Sequence, residues 1–76
     1  MKKYLNLSGK SGVTEYEIGD DYVKVCFGGG VVYKYSVKSA GQSEVDELKS
    51  LAIKGLGLNT FINKYVKYLY ESKSRK

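Results

Sequence analysis

The chain has no histidine, no proline and a single cysteine among its 76 residues. One cysteine cannot form a disulfide within the chain, and without histidine a Cys/His zinc site cannot be built. The lack of histidine also removes the side chain best suited to general-base work near neutral pH. Apolar runs reach only three or four residues, too short for a membrane-spanning helix or a signal-peptide core. A cytoplasmic protein with no membrane partner is expected by elimination. The Asn6-Leu7-Ser8 triplet fits a glycosylation acceptor, but nothing else points to secretion. A chain of this length makes one domain, 1–76, and buries only about 60% of its unfolded surface. Its core must hold by packing alone or with help from self-association.

What the sequence does carry is positive charge, unevenly placed. The formal net charge is +5. Lys2, Lys3 and Lys10 make the start positive, while Glu15, Glu17, Asp20 and Asp21 form a negative patch around a turn. From Lys64 onward, Lys64, Lys67, Lys73, Arg75 and Lys76 face only Glu71. Such a segment attracts phosphate backbones or acidic partners, though a solvated helix face explains it equally.

Glycine supplies the punctuation. Val13 to Ile18 reads as a strand ending at Gly19-Asp20-Asp21, Tyr22 to Phe27 as a second, and Val31 to Val37 as a third after a Gly28-Gly29-Gly30 hairpin loop. Leu5 and Leu7 alternate with Tyr4 and Asn6, which leaves room for a short fourth, edge strand. A three-residue loop sets Val25 opposite Tyr33 and Val23 opposite Tyr35. A two-residue turn sets Ile18 opposite Val23 and Glu17 opposite Lys24. With side chains alternating at period two, Tyr16, Ile18, Val23, Val25, Phe27, Val31, Tyr33, Tyr35 and Val37 share one face. Glu15, Glu17, Tyr22, Lys24, Cys26, Val32, Lys34 and Ser36 share the other. The first face is apolar and needs a cover.

Two helices are expected to provide it. Ser43 reads as an N-cap before an acidic first turn of Glu44, Asp46 and Glu47, with Val45, Leu48, Leu51 and Ala52 facing inward and Gly55 ending the helix. Asn59 reads as the cap of a second helix with a stripe of Ile62, Tyr65, Val66 and Leu69, flanked by Phe61 and Tyr68. The expectation is an α+β fold, an antiparallel three- or four-stranded meander followed by two helices on one face (βββαα). Residues 1–10 and 72–76 are expected as flexible ends.

Tyr16-Glu17, the strand Val23-Lys24-Val25-Cys26-Phe27, the Tyr33-Lys34-Tyr35 element and Leu58-Asn59 with Ile62 together resemble the KTSC domain. That family occurs as small bacterial proteins and at the C-terminus of some lysyl-tRNA synthetases. The resemblance spans about residues 11–65 and implies this fold and an RNA-associated role. Two positions depart from the family pattern: Asn63 stands where arginine is usual, and Val37-Lys38-Ser39 lacks the expected proline.

Catalytic readings fail one by one. Gly9-Lys10-Ser11 resembles the tail of a phosphate-binding loop, but Tyr4 occupies the place of its leading glycine. Gly28-Gly29-Gly30 lies between strands rather than before a helix. Cys26 has no histidine to activate it. No enzyme, metal or cofactor is expected.

Eight tyrosines raise the prospect of base stacking. On the register above, Tyr33 and Tyr35 fall under the helices and read as packing residues, with hydroxyls reaching the edge. The candidate contacts are therefore Tyr22, Lys24 and Lys34 on the open sheet face, and Lys64, Lys67, Tyr68, Lys73, Arg75 and Lys76 on the C-terminal helix and tail, with Tyr70 beside them. A nucleic-acid (RNA)-binding accessory module is the favoured function. The alternative is a protein-interaction module or homodimer using an edge strand or the open face around Tyr22, Cys26 and Val32.

Overall fold

Three consecutive glycines make the turn between the two central strands of the meander. Gly29 and Gly30 both have positive φ, 97° and 85°, where a β-carbon would crowd the backbone, and the Gly30 amide donates to the Phe27 carbonyl at 3.0 Å. The turn joins β3 (Tyr22–Phe27) to β4 (Val31–Ser36), with Val25 opposite Tyr33 and Val23 opposite Tyr35. β2 (Val13–Ile18) pairs with β3 in the expected register, Ile18 opposite Val23 and Glu17 opposite Lys24. Near its start β2 carries an irregularity between Val13 and Glu15, and the Thr14 hydroxyl there donates to the Cys26 carbonyl.

The computed structural model describes residues 1–75; Lys76 lies outside the described residues. The fold is α+β, with the helices packed on an antiparallel sheet, but the sheet has five strands rather than three or four, in the order β1-β2-β3-β4-β5. Both additions come from segments expected as free ends. β1 is Lys2–Lys3, paired with Tyr16 and Glu15 of β2; Leu5 and Leu7 are exposed and form no strand. β5 is Ser72–Arg75, antiparallel to β4 with Tyr33 opposite Lys73. Alternating serines and cations hide no apolar periodicity, so local pattern gives no sign of this strand. An unpaired neighbouring edge on β4 supplies its hydrogen bonds.

Helix placement also departs from expectation. Ser36 caps a single turn, α1 (Val37–Ala40), through a reciprocal box with Ser39. α2 (Gln42–Lys54) starts from Gly41 without a side-chain cap, so Ser43 lies inside it. Gly55 ends it at φ 80°. α3 (Leu58–Phe61) starts from Gly57, not Asn59, and runs directly into a π-helical turn, Ile62–Val66. The expected C-terminal helix thus stops at Val66. Ile62 and Val66 are buried, whereas Tyr65 and Leu69 are exposed.

The core gathers Val23, Val25 and Tyr35 of the sheet with Val45, Leu48 and Ala52 of α2 and Leu58, Ile62 and Val66 beyond it. Each fully buried aliphatic side chain contributes about 1.5–3 kcal/mol. Tyr4 joins them at 2% exposure, its hydroxyl accepting from the Leu58 amide at 3.4 Å. On the opposite face Cys26 and Val32 are buried too, contrary to the open surface expected around them. They occupy the middle of a cross-strand row from Glu15 through Cys26 and Val32 to Ser74, with β2 beside Cys26 and β5 beside Val32. β5 completes that row by setting Ser74 beside Val32.

Candidate functional site

The helical layer leaves part of the apolar sheet face uncovered. α2 covers the sheet around Val23, while the π-helical turn stands off from the far ends of β3 and β4. A cleft of about 240 Å³ lies between them, with Phe27, Val31 and Tyr33 on the sheet side, Tyr35 and Ile62 within, and Asn63 and Lys67 on the helical side. Widened helical turns recur at functional sites. Here the wider turn keeps Ile62 and Val66 buried and sets Asn63 and Lys67, also four apart, on the cleft.

Phe27, Tyr33, Tyr35 and Tyr70 form one connected group. Tyr33 meets Phe27 edge-on at 5.5 Å and Tyr70 at 5.1 Å, and stacks on Tyr35 at 6.4 Å. Tyr33 is half-buried, whereas Tyr35 is 1% exposed. The sequence placed both rings under the helices, and the cover is incomplete over Tyr33. Burial, with the neighbouring phenols of Tyr33 and Tyr70, holds the Tyr35 hydroxyl well above the usual tyrosine pKa.

Two further hollows adjoin the cleft. One, of about 310 Å³, shares Asn63 and Lys67 with it and adds Lys64, Tyr65 and Tyr68. The other, of about 430 Å³, shares Val31 and adds Lys73, Ser74 and Arg75. Through these shared residues the three hollows follow one another from the π-helical turn, past the aromatic cleft, to the β5 edge, and together are called the groove. Lys64, Lys67, Lys73 and Arg75 line it, and none of its lining residues is acidic. Lys73 rests over the Tyr33 ring with Nζ 5.6 Å from the centroid, Lys67 over Tyr68 at 5.5 Å, and the Arg75 guanidinium donates to the Gly29 carbonyl at 3.4 Å.

The expected contacts therefore divide. Lys64, Lys67, Tyr68, Lys73 and Arg75 share the groove, although they come from a π-helical turn, the turn that follows it and a strand rather than from one helix. Tyr22, Lys24 and Lys34 lie together on the opposite sheet face, with Lys34 Nζ 4.9 Å and Lys24 Nζ 5.9 Å from the Tyr22 ring. There each cation meets a carboxylate: Lys24 with Glu17 at 3.9 Å and Lys34 with Glu71 at 3.3 Å. The Tyr22 hydroxyl donates to Glu17 at 2.8 Å, which raises the Tyr22 pKa, while hydrogen bonds from Ser36 and Lys34 lower that of Glu71. Two lysines against two glutamates leave that cluster balanced, with no net attraction for an anionic strand. Lys76 lies outside the described residues.

Phe27, Val31, Tyr33 and Asn63 belong to the groove and were not among the expected contacts. Their signal was present for Tyr33, an aromatic ring beside basic residues, but the assumption of a full helical cover removed it. Among the described residues no group of three His, Cys, Asp or Glu side chains is placed to hold a metal ion. No helix among them is long and apolar enough to cross a membrane. No family model matches the chain, and no match was found among curated proteins or solved structures.

Proposed function

We propose that this chain is a small non-catalytic module that binds single-stranded nucleic acid, RNA in particular, along the groove between β4, β5 and the π-helical turn. One juxtaposition supports it: Lys64, Lys67, Lys73 and Arg75 follow a groove with no acidic lining, and its centre is aromatic. Cations spaced along a track neutralise successive phosphates, and rings between them take unstacked bases. Splayed bases are common in RNA loops and ends, where proteins read them by stacking and hydrogen bonding. The resemblance to KTSC domains points the same way, and a cytoplasmic setting accords with a lone unpaired cysteine.

Salt dependence tests the proposal. Each neutralised phosphate on a single strand adds about 0.7 to the slope of log affinity against log salt, so four cations predict a slope near −3. Affinity for an unstructured RNA oligonucleotide should then fall roughly fiftyfold between about 50 mM and 200 mM salt. No binding at about 50 mM salt would overturn the proposal.

A second reading has its own observation. Met1, Ile18 and Ile53 line a hollow of about 540 Å³ beside edge strand β1, and Leu5, Leu7 and Leu56 are also exposed. Apolar surface next to an open edge suits a protein partner or a second copy. A strictly monomeric mass in sedimentation at high concentration would count against self-association there.

A further inference from the structure

Tyr35 combines two properties that rarely coexist. It is 1% exposed, and its hydroxyl makes no hydrogen bond to any described residue. Buried tyrosine hydroxyls ordinarily find a partner, because leaving one unmade costs the desolvation of the group. Yet among the described residues no fully buried side-chain oxygen lacks a partner, so the Tyr35 oxygen keeps a sliver of access. Tyr35 is among the residues that line the aromatic cleft. The neighbouring rings of Tyr33 and Tyr70 are aromatic contacts rather than acceptors bonded to it.

Resting on the nucleic-acid reading above, we propose that the cleft is a base pocket. It takes one carbonyl-bearing base of the bound strand, uracil in the test below, and the Tyr35 hydroxyl donates to a ring carbonyl of that base. The volume limits the occupant: about 240 Å³ falls below the roughly 300 Å³ at which pockets for whole small ligands begin, which suits one base rather than a whole nucleotide. Phe27, Val31 and Tyr33 supply the apolar walls. Asn63, at the mouth, offers an amide donor and an amide acceptor to the rest of the base edge. Lys67 stands beside Asn63, where the phosphate of the same nucleotide would pass. The hydroxyl stays protonated at neutral pH because burial disfavours the phenolate, and so remains a donor. Adenine has no carbonyl to accept from it.

The test compares the wild-type protein with Tyr35→Phe against oligo(U) and oligo(A) at low salt, alongside thermal unfolding of both proteins. Phenylalanine removes a hydroxyl that bonds nothing in the free protein, so the melting temperature should not fall. The wild type should prefer oligo(U). The variant should lose about fivefold in oligo(U) affinity, the size of one net hydrogen bond, with oligo(A) affinity unchanged. Equal binding of oligo(U) by both proteins, or equal losses on both oligonucleotides, would overturn the base pocket while leaving groove binding standing. Failure of the wild type to bind either oligonucleotide would overturn both.

Discussion

Lys73 stands directly across from Tyr33 in the β4–β5 pair, and its ammonium group rests 5.6 Å from the centre of the Tyr33 ring. The contact joins the last strand to the aromatic cleft and puts a cation at the cleft's rim. Cation–π contacts at partly exposed sites contribute about 0.5–1 kcal/mol, so Lys73 matters less for holding β5 than for the charge it adds to the groove.

Reversing charge on either sheet face separates the two groups of basic residues. Lys67→Glu with Lys73→Glu should lower affinity for single-stranded RNA at least tenfold and flatten its salt dependence, since each lost phosphate contact removes about 0.7 from the slope. Lys24→Glu, on the balanced opposite face, should change affinity little. Titrations of labelled RNA at several salt concentrations check both. A larger loss for Lys24→Glu would move the interface to the other face.

Gly55→Ala should destabilise the fold. Gly55 has φ 80°, and a β-carbon there would lie 2.6 Å from the β-carbon of Leu5. The left-handed conformation costs a non-glycine residue about 1–3 kcal/mol. The displaced Leu5 segment also carries the Leu7 amide, bonded to the Gly55 carbonyl at 2.8 Å, and precedes β2. A melting temperature lower by roughly 8 °C or more is expected for a domain of this size. An unchanged melting temperature would show that the Leu5–Gly55 contact yields freely.

Tyr22 should titrate late. Its hydroxyl donates to Glu17, which is the main cause of its raised pKa, with some desolvation and the charges of Glu17, Asp21 and Asp20 behind it. A raised folded-state pKa favours the protonated phenol, so this contribution to stability is complete below the unfolded value of about 10 and is lost as pH climbs through the higher folded value. Glu17→Gln should bring the Tyr22 titration back toward that of a free tyrosine, followed by NMR of its ring carbon. A midpoint unaffected by the substitution would assign the shift to another cause.

Where side chains alternate against glycine turns, the fold was legible. Period two together with loop length was enough to pair Glu17 with Lys24, Val25 with Tyr33 and Val23 with Tyr35, because a one-residue slip would turn Val23 and Val25 out to solvent. The second helix was misjudged. Ile62, Tyr65, Val66 and Leu69 match an α-helical stripe, but the π-helical turn turns Tyr65 outward and ends before Leu69. Helix caps were misplaced as well, since Gly41 and Gly57 stand at the starts where Ser43 and Asn59 were expected as caps. The candidate site was half legible: Lys67, Lys73 and Arg75 stood out by charge, whereas Tyr33 and Asn63 did not.

By itself the sequence determined the central three-strand meander, its register and the excess of cations after Lys64, because hydrophobic period and charge are local properties of the chain. It could not determine β5. Ser72–Arg75 has no apolar alternation of its own and becomes a strand because β4 offers an unpaired edge, to which Glu71 already bonds through its amide at the Lys34 carbonyl, 2.6 Å away. Tertiary structure alone decided that this strand buries Val32, sets Lys73 over Tyr33, and leaves a cleft where the π-helical turn does not reach the sheet.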